Sequence, residues 1–335
     1  MPLPTGKLPY DELRRLLSII HHPNGSVLLG PGIGEDAALI DMGDKLLVVH
    51  ADPITGAVEE IGWLSVNVSA NDVATRGARP RWLVSVILLQ EGAGPEVVES
   101  IARQIRDAAD AIGAVVVGGH TEVTPRLDRP IVVTTAFGLV DKEKAVFTAN
   151  AKPGDALILT KGAGIEGTAI IAGEFKSLLQ GRVPEEVLKN ARGFIREISV
   201  VREATAAVEA GGVHAMHDAT EGGVLGAVQE MTVAANLSAR IYEEMIPLRE
   251  ETRVICAALG IDPLRLISSG SLLIAARRDS ASQVVEKIRE AGVEASIIGS
   301  LEEGEGVTLV RRDGKQVRIT EPVTDELWRL YSRVI

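Results

Sequence analysis

The chain has 335 residues, 46% of them hydrophobic and 24% charged, with a formal net charge of −11. This length predicts two domains, and the hydrophobic content excludes a disordered chain. The acidic balance argues against a nucleic-acid partner, no apolar run approaches the ~18 residues of a membrane span, and one cysteine excludes an internal disulfide or a cysteine-cluster zinc site.

The opening MPLPTGKLPYDELRRLLSII is broken by proline, aspartate and arginine, so it is not read as a secretory signal; with the lone cysteine it predicts a cytoplasmic protein. His21 and His22 fall in a turn-rich stretch and receive no role. AALI (37–40) and KLLVVHA (45–51) flank Asp41-Met42-Gly43-Asp44, a hairpin signal. With Ile40 opposite Lys45, Asp36 falls opposite Val49, and Asp52 lies three residues on, roughly 10 Å along the strand. A helix over 62–76 follows, ending at Gly77 in SVNVSANDVATRGARP. Its small residues predict close packing. Asp72 is then either a surface partner of Arg76, four residues on, or a buried group that needs a strong partner such as a metal ion. Asn67 and Asn71 share a stripe suited to sugar, base or water-shell contacts. Strand 82–89, helix 95–112 with its stop at Gly113, and strand 114–117 lead into GGHTEV. There Gly118 and Gly119 permit close approach of backbone to a ligand, with His120 and Thr121 at the strand end. Strand 131–140 closes the first half, and NAKPGD (150–155) reads as a linker, giving domains 1–150 and 151–335.

The second half opens with strand 156–161 and GAGIEG, Gly162 to Gly167. This is a literal dinucleotide motif without the second parallel strand and acidic residue that such a site requires. It reads instead as a strand-to-helix turn whose glycines, Gly162 and Gly164, offer amides to an anion. Strand 213–216 runs into HDATEGG, where Asp218 is a strand-end acid beside a helix start, and His217 is either a structural imidazole or a site group. Cys256 reads as a core residue. Strand 271–276, helix 280–291, strand 295–299, a hairpin at Arg312-Asp313-Gly314-Lys315 and a helix capped near Thr324 complete the chain. The spacing of Asp36 and Asp52 is too wide for one ion but suits Mg²⁺ ions spread along a triphosphate, and Asp72 and Asp218 add two further acids at helix or strand ends.

These stretches, GEDAALI, the Asp52 strand end, NVSANDVATRGARP, VVVGGHTEV, KPGDALILTKGAGIEGTAII and HDATEGGVLGAVQE, resemble the AIR synthase (PurM-like) superfamily, in family order and across both halves. The resemblance is closest to the HypE branch. It implies an α/β subunit with two mixed sheets flanked by helices. An N-terminal domain would bind ATP and Mg²⁺ and form a homodimer, and a second PurM-like domain would follow. Asp36, Asp52, Asp72 and Asp218 would hold Mg²⁺. Asn71, His120 and Thr121, with Gly118 and Gly119, would contact nucleotide or phosphate, and Asp72, His120 and Asp218 would carry catalysis. The implied chemistry is phosphorylation of an oxygen on a small molecule or on a partner protein's carboxamide. The chain departs from the HypE pattern at Glu122, where lysine is usual, and at Ser269, where glutamate is usual. Its last residues, WRLYSRVI, carry no cysteine, so modification of its own terminus is not expected. Two alternatives stand beside this reading: a non-catalytic ATP-binding partner in a metalloenzyme maturation complex, and a kinase resembling thiamine-monophosphate kinase or selenophosphate synthetase.

Overall fold

The computed structural model describes residues 6–20, 24–55 and 57–334; His21 and His22 lie outside them. The first half holds helix α1 (Tyr10–Ile20), strands β1 (Val27–Leu29), β2 (Ala38–Asp41) and β3 (Lys45–Ile54), helix α2 (Ile61–Thr75), β4 (Arg79–Gln90), α3 (Pro95–Ile112), β5 (Val115–Thr124) and β6 (Ile131–Asp141). Its six strands form one sheet in the order β1-β2-β3-β6-β4-β5. All neighbours are antiparallel except β4 and β5, whose parallel pairing requires the crossover that α3 provides.

The second half runs β7 (Ala156–Thr160), α4 (Ile165–Glu174), α5 (Lys176–Leu179), α6 (Glu185–Gly193), α7 (Val201–Ala210), β8 (Val213–Asp218), α8 (Gly223–Ala235) and β9 (Ser238–Tyr242). It continues through α9 (Glu250–Leu259), β10 (Leu272–Ala276), α10 (Ala281–Glu290), β11 (Ala295–Glu302), β12 (Gly306–Val310), β13 (Gln316–Ile319) and α11 (Glu326–Val334). Seven strands form a second sheet in the order β13-β12-β9-β11-β7-β10-β8. The protein is thus a mixed α/β fold with two mixed sheets flanked by helices. Among the described residues no helix is long and apolar enough to cross a membrane.

Helix α2 explains its own composition. Every residue from Ile61 to Thr75 is buried, because the helix packs on β3 and β6 of its own sheet, on α3, and on α7 and β8 of the other half. A helix enclosed on all sides has no solvent stripe to pattern. Gly138 of β6 lies directly beneath it: a Cβ there would come within 2.6 Å of Val73 Cγ1. Gly77 ends the helix with φ +80°, where a side chain would meet Lys144 O at 2.6 Å. The apolar core is continuous across the halves, joining Leu64 and Val66 to Ile165, Ile171, Phe194 and the buried Cys256.

Two expectations change. The β2–β3 register pairs Ile40 with Leu47, not Lys45. Continued, it sets Asp36 opposite Ala51, next to Asp52, so the two acids lie closer than the shorter turn implied. The 150–155 segment is a pinned connection: Gly154 N–H donates to Leu301 O at 2.8 Å, and buried Asp155 pairs with His214 at 2.9 Å. The last helix is capped where expected, one residue past Thr324, with Leu327 N–H donating to Asp325 Oδ1 at 2.8 Å.

Candidate metal centre

Four carboxylates meet where α2 crosses between the sheets. His50 and Asp52, two apart on β3, share one face. With Asp72, near the end of α2, they place ligand atoms within 4.8 Å of one another. Asp36, ahead of β2, joins His217 and Asp218 at the end of β8 in a second such group. Antiparallel pairing with β10 holds the latter, Asp218 facing Leu272.

The two groups differ in charge balance. Asp36 is already neutralised: Arg76 Nη2 donates to Asp36 Oδ2 at 3.0 Å, and His217 Nδ1 bonds Asp36 Oδ1. Burial works to raise its pKa, yet His217 and Arg76 take it down to about 2. His217 bonds Glu230 Oε2 through Nε2 at 2.9 Å, and Lys7 Nζ donates to Glu230 at 3.0 Å. Burial alone would lower the His217 pKa, but Asp36 and Glu230 raise it to about 10, so the imidazole is a cation at neutral pH. A chain of alternating charge therefore runs Lys7, Glu230, His217, Asp36, Arg76.

Asp72 and Asp218 lack this compensation. Each is buried and has an Oδ2 without a hydrogen-bond partner. His50 Nε2 stands 3.5 Å from Asp72 Oδ2 and 3.9 Å from Asp52 Oδ1, within ion-pair range. Burial, then the negative charges of Asp218, Asp52 and Asp36, holds the Asp72 pKa well above the ordinary carboxylate range. Burial and Asp36 raise Asp218 to about 7. Two buried carboxylate oxygens without a hydrogen-bond partner, beside a third, half-exposed acid, fit a hard divalent cation, which takes oxygen ligands and removes their mutual repulsion.

The remaining site candidates fall elsewhere. Arg76 is not a surface partner of Asp72. It is fully buried and also bonds Glu35, Thr148 Oγ1 (2.8 Å) and Met216 O (2.9 Å). Asn71 is spent on structure, donating to Ile198 O at 2.9 Å and accepting from Val200 N–H at 2.8 Å. Asn67 donates to Trp63 O at 2.9 Å and faces a cavity that none of the clustered acids lines. Gly118, Gly119, His120 and Thr121 lie within β5, which runs on to Thr124, and all four are exposed. Two strands separate β5 from β3, roughly 14 Å, so His120 is not brought to the acids; it bonds Glu122 at 3.1 Å. Gly119 makes its close approach to the neighbouring strand, where a Cβ would meet Ser85 O at 2.1 Å. The 162–167 loop offers no free anion nest at its glycines. Gly162 N–H bonds Thr160 O and Gly164 N–H bonds Ser268 Oγ at 2.8 Å, and β7 pairs antiparallel to both neighbours. Cys256 is buried, and burial pushes its thiol pKa up to about 12.

Sequence reasoning missed His50, Glu230 and the role of Arg76. His50 carried a signal, standing two residues before Asp52 in a strand; Glu230 carried none, because only the tertiary fold brings α8 to β8.

The AIR synthase related protein models match residues 34–140 (N-terminal domain) and 152–312 (C-terminal domain). The chain is 31% identical over 312 residues to a Methanocaldococcus jannaschii protein named as a hydrogenase expression/formation protein, covering 89% of this chain and 90% of that one. It is 28% identical over 302 residues to the carbamoyl dehydratase HypE of Escherichia coli, covering 88% and 87%. Among solved structures, HypE in a HypE–HypF complex superposes with a TM-score of 0.75 at 27% identity, covering 87% of this chain and 94% of that one. HypE in complex with ATP gives 0.72 at 25%, covering 95% and 96%.

Proposed function

Because the chain belongs to the AIR synthase related family and is matched in both of that family's domains, we propose that it is an ATP- and Mg²⁺-dependent enzyme that phosphorylates an oxygen of a small molecule or of a partner protein's carboxamide. The observation that carries this reading is the convergence of Asp72 and Asp218, each with a buried carboxylate oxygen that has no hydrogen-bond partner. Those two residues, with Asp52, would hold the metal, and Asp36 would contribute from within its own ion pairs. Bound there, Mg²⁺ supplies positive charge that screens the phosphates and stabilises charge building on the transferred group. Cleavage of the terminal phosphoanhydride and formation of the new O–P bond leave ADP and a phosphorylated oxygen, a good leaving group. Arg76 and His217 fix Asp36 and the end of β8 relative to each other, so the carboxylates are positioned before any ligand arrives. ATP binding by the HypE relative supports the nucleotide, and its complex with HypF supports a protein partner. Under this reading the two domains divide near residue 150 and the first carries the homodimer contact.

Calorimetric titration with ATP, with and without Mg²⁺, tests the proposal. Binding that requires Mg²⁺ and disappears in Asp72→Asn is expected; Mg²⁺-independent binding, or binding untouched by that substitution, would remove the carboxylates from the site.

A further inference from the structure

A second cavity of about 1010 Å³ opens along the seam between the two halves, and none of the clustered acids lines it. One wall is α2, presenting Trp63 and Asn67; the facing wall is α7, with Val201, Arg202 and Ala206. Asn67 is fully buried and its amide nitrogen is committed to Trp63 O, yet its Oδ1 has no hydrogen-bond partner. A buried amide oxygen left unpaired carries a desolvation penalty, which a ligand N–H or O–H would relieve. Ile112, Ala206 and Val293 add apolar surface to the cavity beside the indole of Trp63.

Cations line the same cavity. Arg196 lies over the Trp63 ring at 4.5 Å, and Arg202 has no hydrogen-bond or ion-pair partner among the described residues. The inner carboxylates are already engaged, Glu203 by Lys161 at 2.6 Å and Glu197 by Arg249 at 3.1 Å. Glu209 and Glu294 are largely exposed, at 60% and 86% of their side chains. A ligand that uses these groups combines a hydrogen-bond donor, a flat apolar body and an anion.

We infer that the seam cavity is a second ligand site, distinct from the carboxylate centre, that takes a nucleoside monophosphate, with Asn67 Oδ1 accepting from the base and Arg202 meeting the phosphate. The volume suits such a molecule. Both walls contribute, so an occupant ties the two halves together. Asn67 and Asp72 are five residues apart on one buried helix, roughly 7.5 Å along its axis, so occupancy bears on the element that carries the metal ligand.

Titration of the full chain with AMP in excess EDTA tests the site while the carboxylate centre is without metal. One molecule of AMP per chain is expected, with adenosine and inorganic phosphate each weaker by about tenfold or more. Asn67→Ala and Arg202→Glu should each weaken AMP by about tenfold, while Asp72→Asn leaves it unchanged. Arg202 is exposed, so its variant folds even if the helix variant does not. Absence of AMP binding at millimolar concentration, or binding that Asp72→Asn abolishes and Arg202→Glu spares, overturns the assignment. These outcomes do not depend on Mg²⁺-ATP turnover, so this site and the proposed activity fail separately.

Discussion

Asp72 and Asp218 dominate at the scale of single residues because burial and like charge act on both in the same direction. A carboxyl whose folded-state pKa lies above its unfolded value favours folding when protonated, so that contribution is lost as pH rises from about 4 through the folded value. Asp218, Glu166 and Asp325 are each raised to about 7, chiefly by burial. Asp36 and Glu230, held at about 2 by their cationic partners, work the other way and lose their contribution only below pH 4. His217, raised to about 10, also favours folding when protonated, a contribution complete below about pH 6.5 and lost progressively as pH rises toward 10. Metal-free protein is therefore expected to be most stable near pH 4–5 and to lose several degrees of melting temperature by pH 8. Each tenfold difference in proton affinity between the folded and unfolded chain is worth ~1.4 kcal/mol per group before coupling. Mg²⁺ should restore the share of that loss due to Asp72 and Asp218 at pH 8 and little at pH 5, as thermal melts at both pH values would show. Asp72→Asn removes one of the repelling charges. It should raise the metal-free melting temperature at pH 8 and abolish the Mg²⁺ response; a variant that melts lower and still responds to Mg²⁺ would contradict this reading.

At the scale of elements, α2 and the strands around it were legible because their signals are local. Small residues up to the glycine stop marked the helix, and alternating apolar runs marked the strands. The β2–β3 register was not legible, since turn geometry and the docking of β3 along ten residues of β6 set it jointly. The partners of Arg76 were not legible for a related reason: an i,i+4 neighbour is visible in sequence, whereas Glu35, Thr148 and Met216 O converge only after both sheets are built. Arg76→Ala leaves Asp36 and Glu35 buried without their guanidinium and should cost about 3–5 kcal/mol, read from the urea midpoint. Gly138→Ala pushes a methyl into Val73 and Arg79 O, 2.6 and 2.8 Å away, and should cost about 1–3 kcal/mol. Unchanged stability in either variant would mean that α2 can shift on its sheet.

At the scale of the molecule, β5 ends the first sheet with an open edge. Val115, Val117 and Val123 on it are 61%, 58% and 57% exposed. An apolar edge strand invites pairing with another strand, and a second copy related by a two-fold axis presents the same edge. Val117→Lys is expected to convert a dimer to a monomer in light scattering while leaving the far-UV circular dichroism unchanged; a wild-type monomer would remove the homodimer from the proposal. The lone Cys256 offers another handle. It is 1% exposed, with a thiol held protonated in a core that joins both halves, so its sulfur meets solvent only when that core opens. Its reaction with an aromatic disulfide reagent would then count opening events directly, and their slowing by added ligand would report the protection each ligand confers without any engineered label.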